Sequence, residues 1–338
     1  MADPLPLISV VMPVHNGEPY LAESIKSILT QTFRDFEFII LDDASTDRTP
    51  EILRDWAQRD RRIRLFRSPE QLGLVRALNY VVHQARALVC ARMDADDISH
   101  PDRLRRQWEV LHAHPQVLLV GTLWEGIDEQ GRCVRPRDRW ALVRRSPFAP
   151  FPHGSSMYRR DVFWEVGGYR EGCAPWEDLD LYLRNSKRGR LMVIPDALYR
   201  YRFHIGSVTL SSPLETITRV LDLMHRCITL HLAGRDYAHL LTMTPASVDS
   251  EGRVSTETLY YLGASRLWAG YSPGILGEFR NYRWLPWRKT TLKTLVLGVG
   301  GSLSPSTLRG FLRWWIWLRD HTAGGYFRNG NPVEWRFE

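Results

Sequence analysis

Through its first two hundred or so residues the chain alternates short apolar runs with segments of helical periodicity. Residues 7–14 are apolar and β-branched and end in His15-Asn16-Gly17, which predicts a buried strand and a turn. Leu21, Ile25, Ile28 and Leu29 then recur at helical spacing. Residues 36–41 predict a second strand closed by Asp42-Asp43, and Ser45 or Thr46 is placed to cap a helix carrying Ile52, Leu53 and Trp56. A third strand over 63–66, a helix marked by Leu74, Ala77, Leu78, Val81 and Val82, and a fourth strand over 88–93 follow. This alternation specifies an α/β fold, a mostly parallel central sheet with helices on both faces.

Residues 101–112 predict a further helix and 117–124 a strand. An Arg-, Pro- and Gly-rich connection spans 128–153, a strand-like stretch 153–157, and helices are expected over 161–166 and 177–188. Beyond about residue 210 the pattern is helical alone, over 214–233, 255–271 and 306–320. Ser211-Ser212-Pro213 is the expected boundary, giving an α/β domain over 1–211 and a helical region over 212–338.

Composition narrows the class. A chain of 338 residues with 44% hydrophobic and 25% charged residues can bury a sizeable core. The four cysteines form no CxxC or Cys/His pair with metal spacing and read as reduced thiols. No basic segment followed by an apolar run opens the chain, and no stretch of 18 apolar residues occurs, so a cytoplasmic protein without a spanning helix is expected. Residues 280–338 hold ten Lys/Arg against three acids, an excess equal to the whole net charge of +7, together with six of the 13 tryptophans. Such a composition suits peripheral contact with an anionic membrane, packing on the body, or an oligomer contact. No nucleic-acid recognition motif accompanies it, and no nucleic-acid partner is expected.

The densest chemistry lies at Asp94-Ala95-Asp96-Asp97, immediately after the fourth strand. Carboxylates one residue apart repel unless a cation stands between them, and hard oxygen ligands suit Mg²⁺ or Mn²⁺. A solvated acidic turn, with Asp97 or Ser99 capping the next helix, accounts for the tetrad equally well on its own. Asp42-Asp43 is expected to end an adjacent strand, and the two sets together suggest one acidic pocket at the carboxyl edge of the sheet. Such a pocket fits a nucleoside diphosphate bound through a metal. Neither a Rossmann glycine fingerprint nor a Walker lysine motif is present, which disfavours dinucleotide enzymes and P-loop ATPases.

From about Leu5 to Ser211 the chain resembles an inverting family 2 glycosyltransferase with the Rossmann-like GT-A fold, of the bacterial polysaccharide type. The resemblance is carried in order by Ile8-Ser9-Val10-Val11-Met12-Pro13-Val14-His15-Asn16-Gly17, Leu41-Asp42-Asp43-Ala44-Ser45-Thr46-Asp47 and Leu72-Gly73-Leu74. It continues through Ala91-Arg92-Met93-Asp94-Ala95-Asp96-Asp97, His153-Gly154-Ser155-Ser156-Met157, Gly167-Gly168-Tyr169, Trp176-Glu177-Asp178-Leu179 and Tyr201-Arg202-Phe203-His204. Gln71 stands where the family often has Asn, and Tyr182 where Trp is common.

The resemblance implies roles residue by residue. Asp42 and Asp43 would face the base and ribose, with Pro13 and His15 forming the floor of that pocket. Asp94 and Asp96 match the family's DxD pair, with Asp96 the principal metal ligand and Asp97 an alternative register. Glu177-Asp178 matches an acidic pair whose aspartate is the general base, although both residues would also simply favour a helix amino terminus. His153, Arg202 and His204 would contact the diphosphate or the acceptor. The implied activity moves a sugar from a nucleoside diphosphate donor, UDP preferred, to a hydroxyl of a glycan or lipid-linked acceptor with Mn²⁺ or Mg²⁺. A sugar nucleotidyltransferase and a catalytically silent nucleotide-binding or scaffold subunit of a glycan-assembly complex are the competing readings.

Overall fold

A computed structural model describes residues 5–135, 151–173, 177–204, 227–228, 230–237, 240 and 333–335. In chain order the strands are β1 (Ile8–Val14), β2 (Phe36–Asp42), β3 (Ile63–Arg67), β4 (Val89–Arg92), β5 (Ile98–Ser99), β6 (Val117–Ile127), β7 (Cys133–Arg135), β8 (Met157–Arg159), β9 (Arg190–Arg202) and β10 (Val333–Trp335). The helices are α1 (Leu21–Leu29), α2 (Thr49–Arg59), α3 (Leu74–His83), α4 (Arg103–Ala113), α5 (Arg160–Glu165) and α6 (Glu177–Ser186). The chain divides into one compact unit of residues 1–126, 140–202 and 329–338, and a second of 127–139 and 203–328.

The first unit carries the sheet. β3, β2, β1 and β4 lie side by side and parallel, so β1 separates β2 from β4, whose carboxylate-bearing ends were expected to be adjacent. Every residue of β1, β2 and β4 is buried, which is why these segments read as continuous apolar runs rather than alternating ones. Ile8, Val10, Met12 and Val14 point to one face, where they share a core with Leu21, Ile25 and Ile28 of α1, Leu53 of α2 and Leu104 of α4. α3 packs against β1 and β2 and buries Val75, Ala77, Leu78, Val81 and Val82, all outside that core. Helices therefore cover both faces.

The sheet is less parallel than the sequence suggests. β8 runs antiparallel to β4 and to β6, and β9 pairs antiparallel with β10 and β5. The order is β10-β9-β6-β8-β4-β1-β2-β3, a parallel half continued by a mixed half. β9 has no counterpart in the sequence reading, because Pro195-Asp196 in its middle breaks the strand pattern. Residues 153–157 are not one strand-like stretch: His153–Ser155 forms a 3-10 turn ahead of β8.

Neither Ser45 nor Thr46 caps α2. Its first turn is fastened by Asp47, whose Oδ1 accepts the Thr49 N–H at 3.0 Å, while Ser45 Oγ accepts the Asn16 N–H at 2.9 Å. The helices expected over 255–271 and 306–320, and nearly all of the basic Trp-rich segment, lie outside the described residues.

Candidate active site

The carboxyl ends of β1 and β2 are tied to each other. His15 Nδ1–H donates to the Asp43 carbonyl at 2.7 Å, which leaves Nε2 to accept from Asn16 Nδ2 at 3.2 Å. Thr46 N–H donates to Asn16 Oδ1 at 2.8 Å. Asn16 and Ala44 both sit at positive φ, 52° and 57°, so these bonds hold two turns in a conformation L-residues seldom adopt.

Both aspartates of this edge are buried. Asp42 Oδ1 accepts the Ser45 N–H at 2.9 Å, and its other oxygen pairs with Arg67 Nε at 3.2 Å. Asp43 Oδ1 and Oδ2 accept the N–H groups of Leu72 (2.7 Å) and Gly73 (3.0 Å), so Asp43 anchors the loop that enters α3. Pro13 stands opposite Leu41 in the β1–β2 register.

The end of β4 separates the three aspartates that sequence leaves equivalent. Asp94 keeps 28% of its side chain exposed and receives a 2.6 Å contact from Arg92 Nη2 on Oδ1. Asp96 is also partly exposed, and its carbonyl accepts Arg202 Nε at 2.7 Å. Asp97 is 1% exposed and turns inward, where Oδ1 accepts the Arg202 main-chain N–H at 2.7 Å. Burial, reinforced by Asp96 and Asp94, pushes the Asp97 carboxyl well above the usual aspartate range.

Arg202 is itself buried. Its Nη2 meets Glu23 Oε2 at 2.6 Å and its guanidinium lies 4.6 Å from the Tyr20 ring centroid. Its side chain therefore joins the aspartate loop to α1. His204 follows β9 and belongs to the second unit.

Across from Asp94, the 3-10 turn brings in the other half of the site. Gly154 packs so closely that a Cβ there would stand 2.0 Å from the Tyr199 hydroxyl and 2.2 Å from Asp94 Oδ2. Tyr199 Oη in turn accepts the Asp94 N–H at 3.3 Å. His153 Nε2 and the Tyr169 hydroxyl share a 2.7 Å hydrogen bond, and His153 Nδ1 lies 3.6 Å from Glu177 Oε1. Glu177 is 4% exposed, whereas Asp178, next along the first turn of α6, is partly exposed. Asp178 Oδ1 accepts the Leu179 N–H at 2.7 Å.

These groups share one electrostatic environment. Burial, with Arg92 adding, depresses the His153 imidazole to about 4, so it is neutral at pH 7. Burial raises the Glu177 carboxyl; Arg92 opposes that rise and Asp94 adds to it. Burial likewise raises Asp178, with His153 opposing and Glu177 adding. Asp178 is thus a partly exposed carboxylate that holds a proton more readily than an ordinary aspartate, as a proton-accepting group requires.

Arg92 and Arg103 also belong to this candidate site, and the sequence motifs that contain them assigned them no role. Both are buried, and Arg103 Nη1 donates to the carbonyls of Arg92 (3.0 Å) and Gly154 (3.1 Å), fastening β4 to the turn. For Arg92 the available signal was an arginine ending an otherwise apolar strand, two residues before a carboxylate cluster.

The donor set also fits the implied metal. Among the described residues no cluster of three or more His, Cys, Asp or Glu side chains is in place to hold an ion. Mg²⁺ and Mn²⁺ bound with a nucleotide need only one or two carboxylates, the remaining positions falling to phosphate and water oxygens, and Asp94 and Asp96 offer that number of hard donors.

A family model described as "Glycosyl transferase family 2" matches residues 9–167, from β1 to the turn after α5. The putative glycosyltransferase EpsE of Bacillus subtilis is 33% identical over 243 residues, covering 70% of this chain and 87% of that protein. The chain belongs to glycosyltransferase family 2. This glycosyltransferase is also 32% identical to the O-antigen biosynthesis glycosyltransferase WbnJ of Escherichia coli, over 62% of its own length and 84% of WbnJ. Its structure superposes with a TM-score of 0.55 on the mannosyltransferase PcManGT of Pyrobaculum calidifontis, solved in complex with GDP-Man and Mn2+, at 18% identity over 95% of this chain and 87% of that one. The shared architecture is the GT-A fold. Among the described residues no helix is long and apolar enough to cross a membrane.

Proposed function

We propose that this family 2 enzyme is an inverting, metal-assisted transferase that moves a sugar from a nucleoside diphosphate donor to a hydroxyl of a glycan or lipid-linked acceptor. The observation that carries the reading is the 3-10 turn, whose Gly154 packs on Asp94 and whose His153 lies 3.6 Å from Glu177, the neighbour of Asp178 at the head of α6.

Inversion needs one displacement and one base. The acceptor hydroxyl oxygen attacks the anomeric carbon, the bond to the diphosphate oxygen breaks with its electron pair, and the hydroxyl proton passes to the Asp178 carboxylate. No second nucleophilic carboxylate takes part. Asp94 and Asp96 would hold Mn²⁺ or Mg²⁺, which when bound offsets the charge of the departing diphosphate. Asp43, Asp42, His15 and Pro13 would frame the base and ribose. His153 would present a neutral imidazole to the transferring group. Arg202 would serve the diphosphate indirectly, by setting the Asp96–Asp97 segment.

UDP is the proposed leaving group and GDP the competing arm, since PcManGT was solved with GDP-Man and Mn2+. The resemblance to WbnJ supports a glycan acceptor. The basic, Trp-rich region over 280–338 would lie on an anionic membrane at its cytoplasmic face.

Thermal unfolding with UDP, GDP, dTDP and CMP, each with and without Mn²⁺, tests the reading. A ligand at a hundred times its Kd stabilises the native state by about 2.7 kcal/mol. One nucleotide should stabilise the protein only with Mn²⁺, and Asp96→Ala should abolish the effect. Absence of stabilisation by all four would favour a silent subunit of a glycan-assembly complex.

A further inference from the structure

Arg92 is a charged residue in the middle of the molecule that the transfer step leaves without a task. It occupies the last position of β4 and is 2% exposed. Its Nη2 pairs with Asp94 Oδ1 at 2.6 Å and its Nη1 donates to the Met93 carbonyl. Beyond Asp94 it acts on Glu177 and on the His153 imidazole. Asp94 packs against Gly154, and the adjacent His153 lies 3.6 Å from Glu177, so the 3-10 turn stands between the carboxylate that Arg92 grips and the head of α6. Burying an arginine is expensive unless its charge is matched, and removing one partner of such a pair leaves the other charge uncompensated.

We propose that Arg92 is a positioning residue of the transfer reaction: it fixes the Asp94 side chain against the 3-10 turn that carries His153, so that the metal side and the base side of the site keep their geometry together. The inference rests on the reading of Asp94 as a metal ligand and of Asp178 as the base. Arg103 cannot substitute, because its Nε is bonded to Ser99 Oγ at 2.7 Å and its Nη1 is committed to main-chain carbonyls. Lysine retains the charge but not the fork that holds Asp94 and the Met93 carbonyl at once.

The histidine gives a readout independent of turnover. His153 faces Tyr169 at 2.7 Å and Glu177 at 3.6 Å, with Arg92, Asp94 and Asp178 the other charged groups acting on it. The full chain, labelled with ¹⁵N in its histidine rings, is titrated by NMR as the parent, Arg92→Met and Arg92→Lys, with His153→Gln identifying the signal. The same proteins are melted with UDP and with GDP, with and without Mn²⁺. In Arg92→Met the His153 midpoint should rise from about 4 by ~1 pH unit, the scale of a lost neighbouring charge. Metal-dependent stabilisation by nucleotide should fall at least tenfold in apparent affinity. Arg92→Lys should keep the low midpoint and recover only part of the affinity.

A folded Arg92→Met with the parent's His153 midpoint and nucleotide affinity overturns the proposal. If Arg92→Met does not fold, Arg92→Lys decides: parental behaviour in both measurements overturns the bidentate role, and lost affinity with a retained midpoint supports it. Should the parent gain no stability from either nucleotide, the nucleotide-site reading fails; a raised His153 midpoint in Arg92→Met then supports the placement of Arg92 against the turn, and an unchanged one overturns it.

Discussion

Asp97 Oδ1 accepts the main-chain N–H of Arg202 at 2.7 Å, joining segments 105 residues apart. That bond turns Asp97 into the core and leaves Asp94 and Asp96 at the accessible edge. Asp97→Asn should therefore leave Mn²⁺-dependent nucleotide stabilisation within about twofold of the parent, while Asp96→Ala abolishes it. Equal loss in both variants, read by thermal shift, would return Asp97 to the metal site.

Asp178→Asn should keep donor binding and lower the transfer rate by roughly 10²–10⁴-fold, the usual contribution of a positioned base. Because burial raises the Asp178 carboxyl above its ordinary 3.8, the acid limb of kcat/KM should fall above that pH. Parental turnover in the variant would remove Asp178 from the base role.

Glu177 offers a stability test with a defined sign. Its carboxyl is raised from the ordinary 4.5, so the native state holds this proton more tightly than the unfolded chain. The penalty for ionising it is absent below the unfolded value and complete once the pH passes the folded one. Glu177→Gln should raise the Tm at pH 8 and leave it nearly unchanged at pH 4. A gain of equal size at both values would refute the assignment.

Gly154→Ala would thrust a Cβ to 2.0 Å from the Tyr199 hydroxyl and 2.2 Å from Asp94 Oδ2. We expect a loss of ~1–3 kcal/mol in stability from overpacking and about 10²-fold in activity from a displacement near 1 Å. Denaturant melts and turnover on the same preparation separate the two effects.

The charge excess over 280–338 predicts that the full chain sediments with anionic vesicles and not with neutral ones. A chain ending near residue 280 should remain in the supernatant. Sedimentation of both would place the lipid contact elsewhere.

Much of the fold was legible because a parallel strand covered on both faces must be apolar throughout. Residues 7–14, 36–41 and 88–93 could hardly read otherwise, and each strand lies within two residues of its expected ends. β9 was hidden because a proline interrupts it, and its place in the sheet depends on β10, β6 and β5, which no local pattern encodes.

The same division runs through the site. Spacing alone announces carboxylates after β2 and β4 and at the head of α6, since charge clusters at strand and helix ends are local features. Which of Asp94, Asp96 and Asp97 faces outward is decided by Arg202, more than a hundred residues away, through a hydrogen bond between segments. That Glu177 and Asp178 share an environment with Asp94 is decided by Arg92, His153 and a glycine without room for a Cβ. Residue type and periodicity specify which groups are present and which elements carry them. Direction, burial and charge partner arise only when distant segments pack, because desolvation and Coulomb attraction act through space rather than along the chain.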